Sequence, residues 1–381
     1  MKELTVSAPG KLMLSGEWSV LELGASCIVM AIDKRVYAKV HENSDSKIII
    51  NAPDVGLSNL SANFDPLTSK LVFEKELSKE ELDKVAFTKN AIELSLAFIQ
   101  GQDVTLKGFS LETRSDDAQV KLDDGSVKKV GFGSSAAVTV AIAGAVFALH
   151  GQDINSYESK ETIFKISALA HFLAQGKLGS SFDIAASSFG GVLFYKKFDP
   201  EWVVAEYNKT YSVYQLMLLK WPYLAIKPLK IPQDFNLAVG WTKTSASTKE
   251  LIAKINEFKK SNKADYDAVI NKIKNLTTKL VPALESGNHE EVLKLLKENR
   301  KHLKEFSDLT LNNLETAELK ILADTADSLG GAGKFSGAGG GDCGIAVSFS
   351  TEIAEKIKQE WKQKGLYPLD VKISQQGLRL E

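Results

Sequence analysis

The 381-residue chain carries three glycine-rich segments, and the residues beside the glycines are those that phosphate chemistry uses. Gly131-Phe132-Gly133-Ser134-Ser135-Ala136 is the middle one. Glycine lets a backbone approach an anion closely, and the N–H groups at a helix entrance carry partial positive charge, so this run ahead of an apolar stretch suits phosphate binding. It fits the dinucleotide pattern G-x-G-x-x-[GA], but the acidic residue which that reading requires at the end of a second strand is missing, since Asp153 merely follows Gly151. The P-loop pattern G-x4-G-K-[ST] occurs nowhere. What is left is a pair of hydroxyls, Ser134 and Ser135, facing phosphates or Mg2+ together with the backbone N–H groups, or else a plain turn with a serine cap. Asp183 follows Gly179-Ser180-Ser181 and precedes an Ala-rich apolar run, a setting for a catalytic base near a helix start and equally for an ordinary first-turn aspartate. Lys11 lies between Pro9-Gly10 and the apolar Leu12-Met13-Leu14, an unusual place for a lysine that only meets solvent. There it would bridge Asp183 and a phosphoryl group in transfer; the competing reading is a loop-surface lysine.

The elements that position these residues are read from periodicity. Short β-rich runs at 4–8, 27–32, 36–40 and 47–51 predict a strand-rich beginning. Helical spacing over 84–100 gives way to strand-like alternation over 104–122 and an Asp123-Asp124-Gly125 hairpin turn. The apolar run after Ser135 predicts a buried helix to 149, stopped near Gly151, then a second helix over 156–175 that stops at Gly176, and a strand over 191–198. From 248 to 329 the composition turns Lys/Glu/Leu-rich with three polar breaks, which predicts four helices. The end reads as glycine loop (330–341), strand (343–349), helix (352–364) and strand (371–374), with a domain boundary near residue 200.

Taken together, Pro9-Gly10-Lys11 through Ser15-Gly16-Glu17, then Gly131 to Ala137, then Ser336-Gly337-Ala338-Gly339-Gly340-Gly341-Asp342 resemble, in order and separation, the three motifs of the GHMP kinases. The resemblance spans essentially the whole chain. It implies an α+β, two-domain fold: a β-rich nucleotide-binding domain at 1–200, and a helix-rich α+β domain at 201–381 that adds substrate contacts and the third glycine motif. Within the superfamily the phosphomevalonate kinases look most similar, on Trp18 after Glu17, on Gly240-Trp241-Thr242 with Ser245 to Lys249, and on Asp342-Cys343-Gly344. Departures are Phe132 where Leu is common, Ser181 where Gly is frequent and Trp18 where Tyr is usual.

Carried over residue by residue, the resemblance implies that Lys11 and Asp183 are catalytic. It implies that Gly131, Gly133, Ser134, Ser135, Ala136, Gly337, Gly339 and Gly340 bind ATP. Lys11, Ser15, Glu17, Lys177, Ser180, Asp183, Lys243, Ser247 and Lys249 would contact the acceptor, 5-phosphomevalonate. A helix Glu that holds Mg2+ in mevalonate kinases is replaced by Phe172, so Mg2+ would rest mainly on Ser135 and the phosphates. The alternatives are mevalonate kinase or another alcohol kinase of the superfamily, a decarboxylase relative, and a non-catalytic ligand sensor.

Composition narrows the partners. Lys plus Arg total 47 against 48 Asp plus Glu, so no whole-chain field draws nucleic acid or anionic membrane. No run reaches the ~18 apolar residues of a membrane span, and the start lacks a signal-peptide pattern, which places the expected protein in the cytosol. Cys27 and Cys343 form no CxxC pair, and the five histidines, at 41, 150, 171, 289 and 302, show no metal spacing and read as surface or helix-face residues. The expected partners are therefore ATP and a small acceptor, with the chain a monomer or homodimer.

Overall fold

In the computed structural model, which describes residues 2–116, 119–121, 125–176, 179–209, 212–244 and 248–381, the chain opens with two long antiparallel strands, β1 (Glu3–Ser15) and β2 (Ser26–Glu42). The runs expected at 27–32 and 36–40 are one strand, because Asp33 stays extended: its N–H donates to the Lys372 carbonyl, and its carboxylate accepts the Lys372 N–H. Opposite them the register shifts between Pro9 and Gly10. Proline has no N–H for the ladder, and a bulge of this kind re-aims the next side chain, here Lys11.

Around this pair the chain adds β3 (Ile48–Ala52), β4 (Leu57–Asp65), β5 (Lys70–Phe73), α1 (Lys79–Gln100) and β6 (Phe109–Ser115), then a hairpin of β7 (Gln119–Lys121) and β8 (Val127–Lys129). Next come α2 (Ser134–Leu149), α3 (Tyr157–Gln175), α4 (Phe182–Phe189), β9 (Val192–Lys196), α5 (Pro200–Asn208), α6 (Val213–Leu218) and β10 (Ala225–Pro228). The first sheet runs β10-β9-β2-β6-β3-β4-β5, with β1 on β2. Only β3 and β6 pair in parallel among its described neighbours. Helix α2 is apolar on nearly every side because it is buried on nearly every side, packed among α1, α3 and the strands. Ser78 and Glu81 form a capping box that starts α1, and Ser156 caps α3.

A second sheet, ordered β12-β13-β11-β14, is built from β11 (Asn236–Trp241), β12 (Ala332–Phe335), β13 (Cys343–Ser348) and β14 (Tyr367–Leu369). It packs with the four expected helices, α7 (Thr248–Ser261), α8 (Lys263–Glu285), α9 (His289–Leu309) and α10 (Ala317–Ser328), and with α11 (Thr351–Gln363). Two sequence expectations fail here. Residues 332–335 are a buried strand instead of part of a glycine loop, because Gly333 is where the sheet meets α10: a Cβ there would stand 2.6 Å from Ala323 Cα. The last strand of this sheet is 367–369, not 371–374. Residue 373 makes a single bridge to Ile32 while the tail crosses back to the first sheet, where β15 (Arg379–Leu380) pairs with β1. The tail is held by buried Arg35, which donates to the carbonyls of Gln376 and Gly377 and to the hydroxyls of Ser7 and Ser374. Leu378 fills the space beside Gly144 of α2.

His150, at the end of α2, is buried: its Nδ1 bonds the Val146 carbonyl at 2.7 Å, and its Nε2 accepts the Lys107 N–H at 3.0 Å. An acceptor nitrogen requires the neutral ring, and burial pushes its pKa below 6.5. The unfolded state therefore binds the proton more readily. The associated stability is complete above pH 6.5 and lost as pH falls through the lowered folded value, at up to about 1.4 kcal/mol per pH unit. Urea unfolding between pH 7 and pH 5 should show this slope, and His150→Gln should flatten it.

Candidate active site

Strand β1 organises the site because each chemistry-bearing segment is hydrogen-bonded to it. The Lys11 N–H donates to the Phe132 carbonyl at 2.9 Å, which ties down the middle glycine segment. The Ser336 hydroxyl accepts the Met13 N–H at 2.8 Å and donates to the Met13 carbonyl at 3.0 Å, which ties down the third. From α4, the Ser187 hydroxyl donates to the Pro9 carbonyl at 2.7 Å and so fixes the helix that bears Asp183.

Two helix N-termini converge here. Gly133, with φ 81°, starts α2, and Ser181, with φ 58°, starts α4; neither helix has a side-chain cap. Among the described bonds, the first two N–H groups of each helix have no intrahelical partner, and both helix dipoles favour an anion there. The Asp183 carboxylate itself accepts the Ile184 N–H at 3.0 Å. Between the helices lies a cavity of about 740 Å3, a size that accommodates a small-molecule ligand.

Of the sequence-predicted residues, Lys11, Glu17, Gly131, Gly133, Ser134, Ser135, Ser180, Asp183 and Gly337 line this cavity. A Cβ at Gly133 would lie 3.3 Å from Lys11 Cε and 3.9 Å from Asp183 Cβ, so lysine, aspartate and the floor of the middle segment are near neighbours. Lys11 also rests over the Phe182 ring, 5.9 Å from its centroid.

Other predicted residues lie elsewhere. Ser15 is fully buried with its hydroxyl on Thr277, and Ala136 is buried inside α2. Gly339 and Gly340 form the back of their loop: a Cβ on Gly339 would stand 2.6 Å from the Leu314 carbonyl oxygen, to which the Gly340 N–H donates at 2.7 Å. Lys243 occupies the turn after β11 with φ 64° and does not line the cavity. Lys177 and Ser247 lie outside the described residues, and Lys249 is described by its backbone alone, in α7. Glu17 reaches the cavity wall, but its carboxylate pairs with Lys334 of β12, and both side chains are buried to within 1 %. Burial drives the Glu17 pKa up against the pull of Lys334, and drives the Lys334 pKa down against the pull of Glu17.

Two cavity residues were not singled out from sequence. His171 leaves the helix-face background: its Nε2 meets the Ser135 hydroxyl at 3.3 Å, and its ring lies 4.9 Å from that of Phe87. Burial pushes its pKa down, opposed by the charge of Asp183. The sequence offers only the four-residue spacing of His171 and Gln175 at a helix end; that this face lines the cavity is decided by the fold. Asp342 closes the third glycine segment and also lines the cavity; burial raises its pKa, and the charge of Lys11 together with donors from Trp241 and Gly131 draws it back.

A hydroxyl from Ser135 and a carboxylate from Asp183 are hard oxygen donors. They suit a Mg2+ ion that keeps most of its ligands from phosphates and water.

Comparison with known proteins gives the family. The GHMP kinases N terminal domain matches residues 87–191, and the GHMP kinases C terminal family residues 280–366. A phosphomevalonate kinase of Streptomyces sp. (strain CL190) is 30% identical over 381 residues, covering 97% of each chain. A mevalonate kinase of Thermococcus sibiricus is 31% identical, covering 98% of this chain and 97% of its own. Among solved structures, Streptococcus pneumoniae phosphomevalonate kinase in complex with phosphomevalonate and AMPPNP superimposes with a TM-score of 0.77 at 25% identity, covering 98% of this chain and all of the other.

Proposed function

The chain belongs to the GHMP kinases, and on that premise we propose that it transfers the γ-phosphoryl group of ATP to 5-phosphomevalonate, giving ADP and 5-diphosphomevalonate. The observation that carries the reading is the meeting of Lys11 and Asp183 in one cavity at two uncapped helix N-termini. Phosphoryl transfer asks for positioning and charge neutralisation more than for covalent chemistry, and this arrangement offers both. The α2 N-terminus and the segment from Gly131 to Ser135 receive the ATP phosphates. Ser135, with the phosphates, would hold a Mg2+ ion, which would supply further neutralisation of charge. Lys11 steadies the group in transfer. A phosphate acceptor is already largely ionised near neutral pH, because its second pKa is about 6, so Asp183 orients it more than it deprotonates it. Ser180, which lines the cavity, completes the acceptor side with Lys177, Ser247 and Lys249. We place the reaction in the cytosol, carried out by a monomer or homodimer; among the described residues no helix is long and apolar enough to cross a membrane.

The choice of acceptor rests on the full-length likeness to phosphomevalonate kinases. Mevalonate kinase is the second reading, favoured by the 31% identity to the Thermococcus enzyme. ADP release measured with each acceptor decides between them. Lysines held for the acceptor's phosphate and left unpaired cost roughly 2 to 5 kcal/mol, so kcat/KM should favour phosphomevalonate by about 30-fold or more. Equal turnover, or a preference for mevalonate, would replace the first reading with the second. Release of CO2 and inorganic phosphate would point to a decarboxylase instead.

A further inference from the structure

Asp342 has no task in the reaction as proposed, although it is the carboxylate that closes the third glycine segment over the cavity. Its backbone is held with unusual firmness. The φ of 61° lies in the left-handed region, which a residue with a Cβ adopts at a cost of about 1–2 kcal/mol. The cost is met by three bonds to the turn after β11: the Asp342 N–H donates to the Thr244 carbonyl at 2.6 Å, and its carbonyl accepts the Thr242 N–H at 2.9 Å and the Thr242 hydroxyl at 3.0 Å. That turn therefore dictates where the carboxylate points.

The carboxylate points at the middle segment. Its Oδ2 lies 3.0 Å from where a Cβ on Gly131 would stand, so the middle segment approaches it as only glycine can. The Gly131 backbone and the Trp241 side chain lie beside it, the Cys343 thiol is 3.8 Å from its Oδ1, and the Lys11 charge acts on it from the first segment. Lys11 in turn runs along Gly133 towards Asp183. Lys11 thus lies in one cavity with two carboxylates, Asp183 and Asp342.

We propose that Asp342 is a positioning residue, which fixes Lys11 and the Gly131 loop at the transferred phosphoryl group and so joins the three glycine segments into one device. The inference rests on the kinase reading above. Without the Asp342 charge, Lys11 would turn fully to Asp183 and leave the phosphoryl position. A displacement of about 1 Å at a reacting group can cost about a hundredfold.

The test is a double-mutant cycle on the full chain with ATP and the better acceptor. Asp342→Asn keeps the shape and an acceptor oxygen for Gly131, so kcat should fall by about ten- to hundredfold with a smaller change in the ATP KM. In a Lys11→Ala background, the same substitution should cost less than about threefold. A purely structural role would cost the same factor in both backgrounds, and that result would overturn the proposal, as would an unchanged kcat in Asp342→Asn. If Asp342→Asn does not fold, Asp342→Ser, which also removes the charge, is measured in the same two backgrounds and judged by the same criterion. A wild-type protein inert towards every acceptor would overturn the kinase reading and this role with it; an active wild type with equal losses overturns this role alone.

Discussion

Asp183→Asn is expected to lower kcat by about 10²- to 10⁴-fold, with little movement in either KM, because it keeps the size of the side chain and removes the charge that faces the acceptor. The substituted amide still offers an oxygen to the Ile184 N–H, so the start of α4 stays in place and the variant should fold. Lys11→Ala lowers kcat as well. The double variant should lose much less than the product of the two losses, since both groups act on one transition state. The pH profile separates two roles for the aspartate. If Asp183 orients an already ionised acceptor phosphate, the residual rate of Asp183→Asn rises with pH through the acceptor's second ionisation near 6. If Asp183→Asn retains full activity while folded and ATP-bound, the active site has been assigned wrongly.

Lys334→Met is expected to produce the largest loss of stability. Removing one partner of a fully buried ion pair typically costs about 3–5 kcal/mol, and here Glu17 would remain with no counter-ion at a site where its Oε2 already has no hydrogen-bond partner. Replacing both residues, as Glu17→Gln with Lys334→Met, should recover much of that loss. The sign with pH follows from the carboxyl. Burial already raises the Glu17 pKa above 4.5, and without Lys334 it rises further, so the folded state holds the proton more tightly than the unfolded state does. That contribution is complete below pH 4.5 and lost as pH rises through the folded value. Urea midpoints at several pH values should therefore show the Lys334→Met defect growing from acid towards neutral pH. A defect independent of pH would mean that Glu17 is not buried alone in the variant.

The three glycine segments were legible because glycine, serine and proline act through the backbone, and backbone constraints are local in sequence. Four helices after residue 248 were legible for the same reason: their apolar spacing and polar breaks are written within each segment. What escaped were roles fixed by packing between distant segments. Gly333 looks like a loop residue until α10 is laid across it. Glu17 sits in a motif associated with substrate, yet its partner is 317 positions away on a strand that the glycine reading had dissolved into a loop. His171 gave a helical-face pattern whose direction only the fold decides. Ser15 and Ala136 are the converse: motif neighbours that support the site from inside the core.

The return of the tail to the first sheet bears on how the protein emerges from the ribosome. Domains generally fold as units during synthesis, the earlier one first. Here the earlier sheet lacks β15 along β1 and lacks Leu378 against Gly144 until the whole helical half has been made. Buried Arg35 likewise waits for the carbonyls of Gln376 and Gly377. The first half therefore spends its nascent life with an open sheet edge, an apolar notch in α2 and a buried cation that has Ser7 but not its tail acceptors. Closure waits for residues 376–380, so β1, which anchors the glycine segments, reaches its final support only after the helical half has been made.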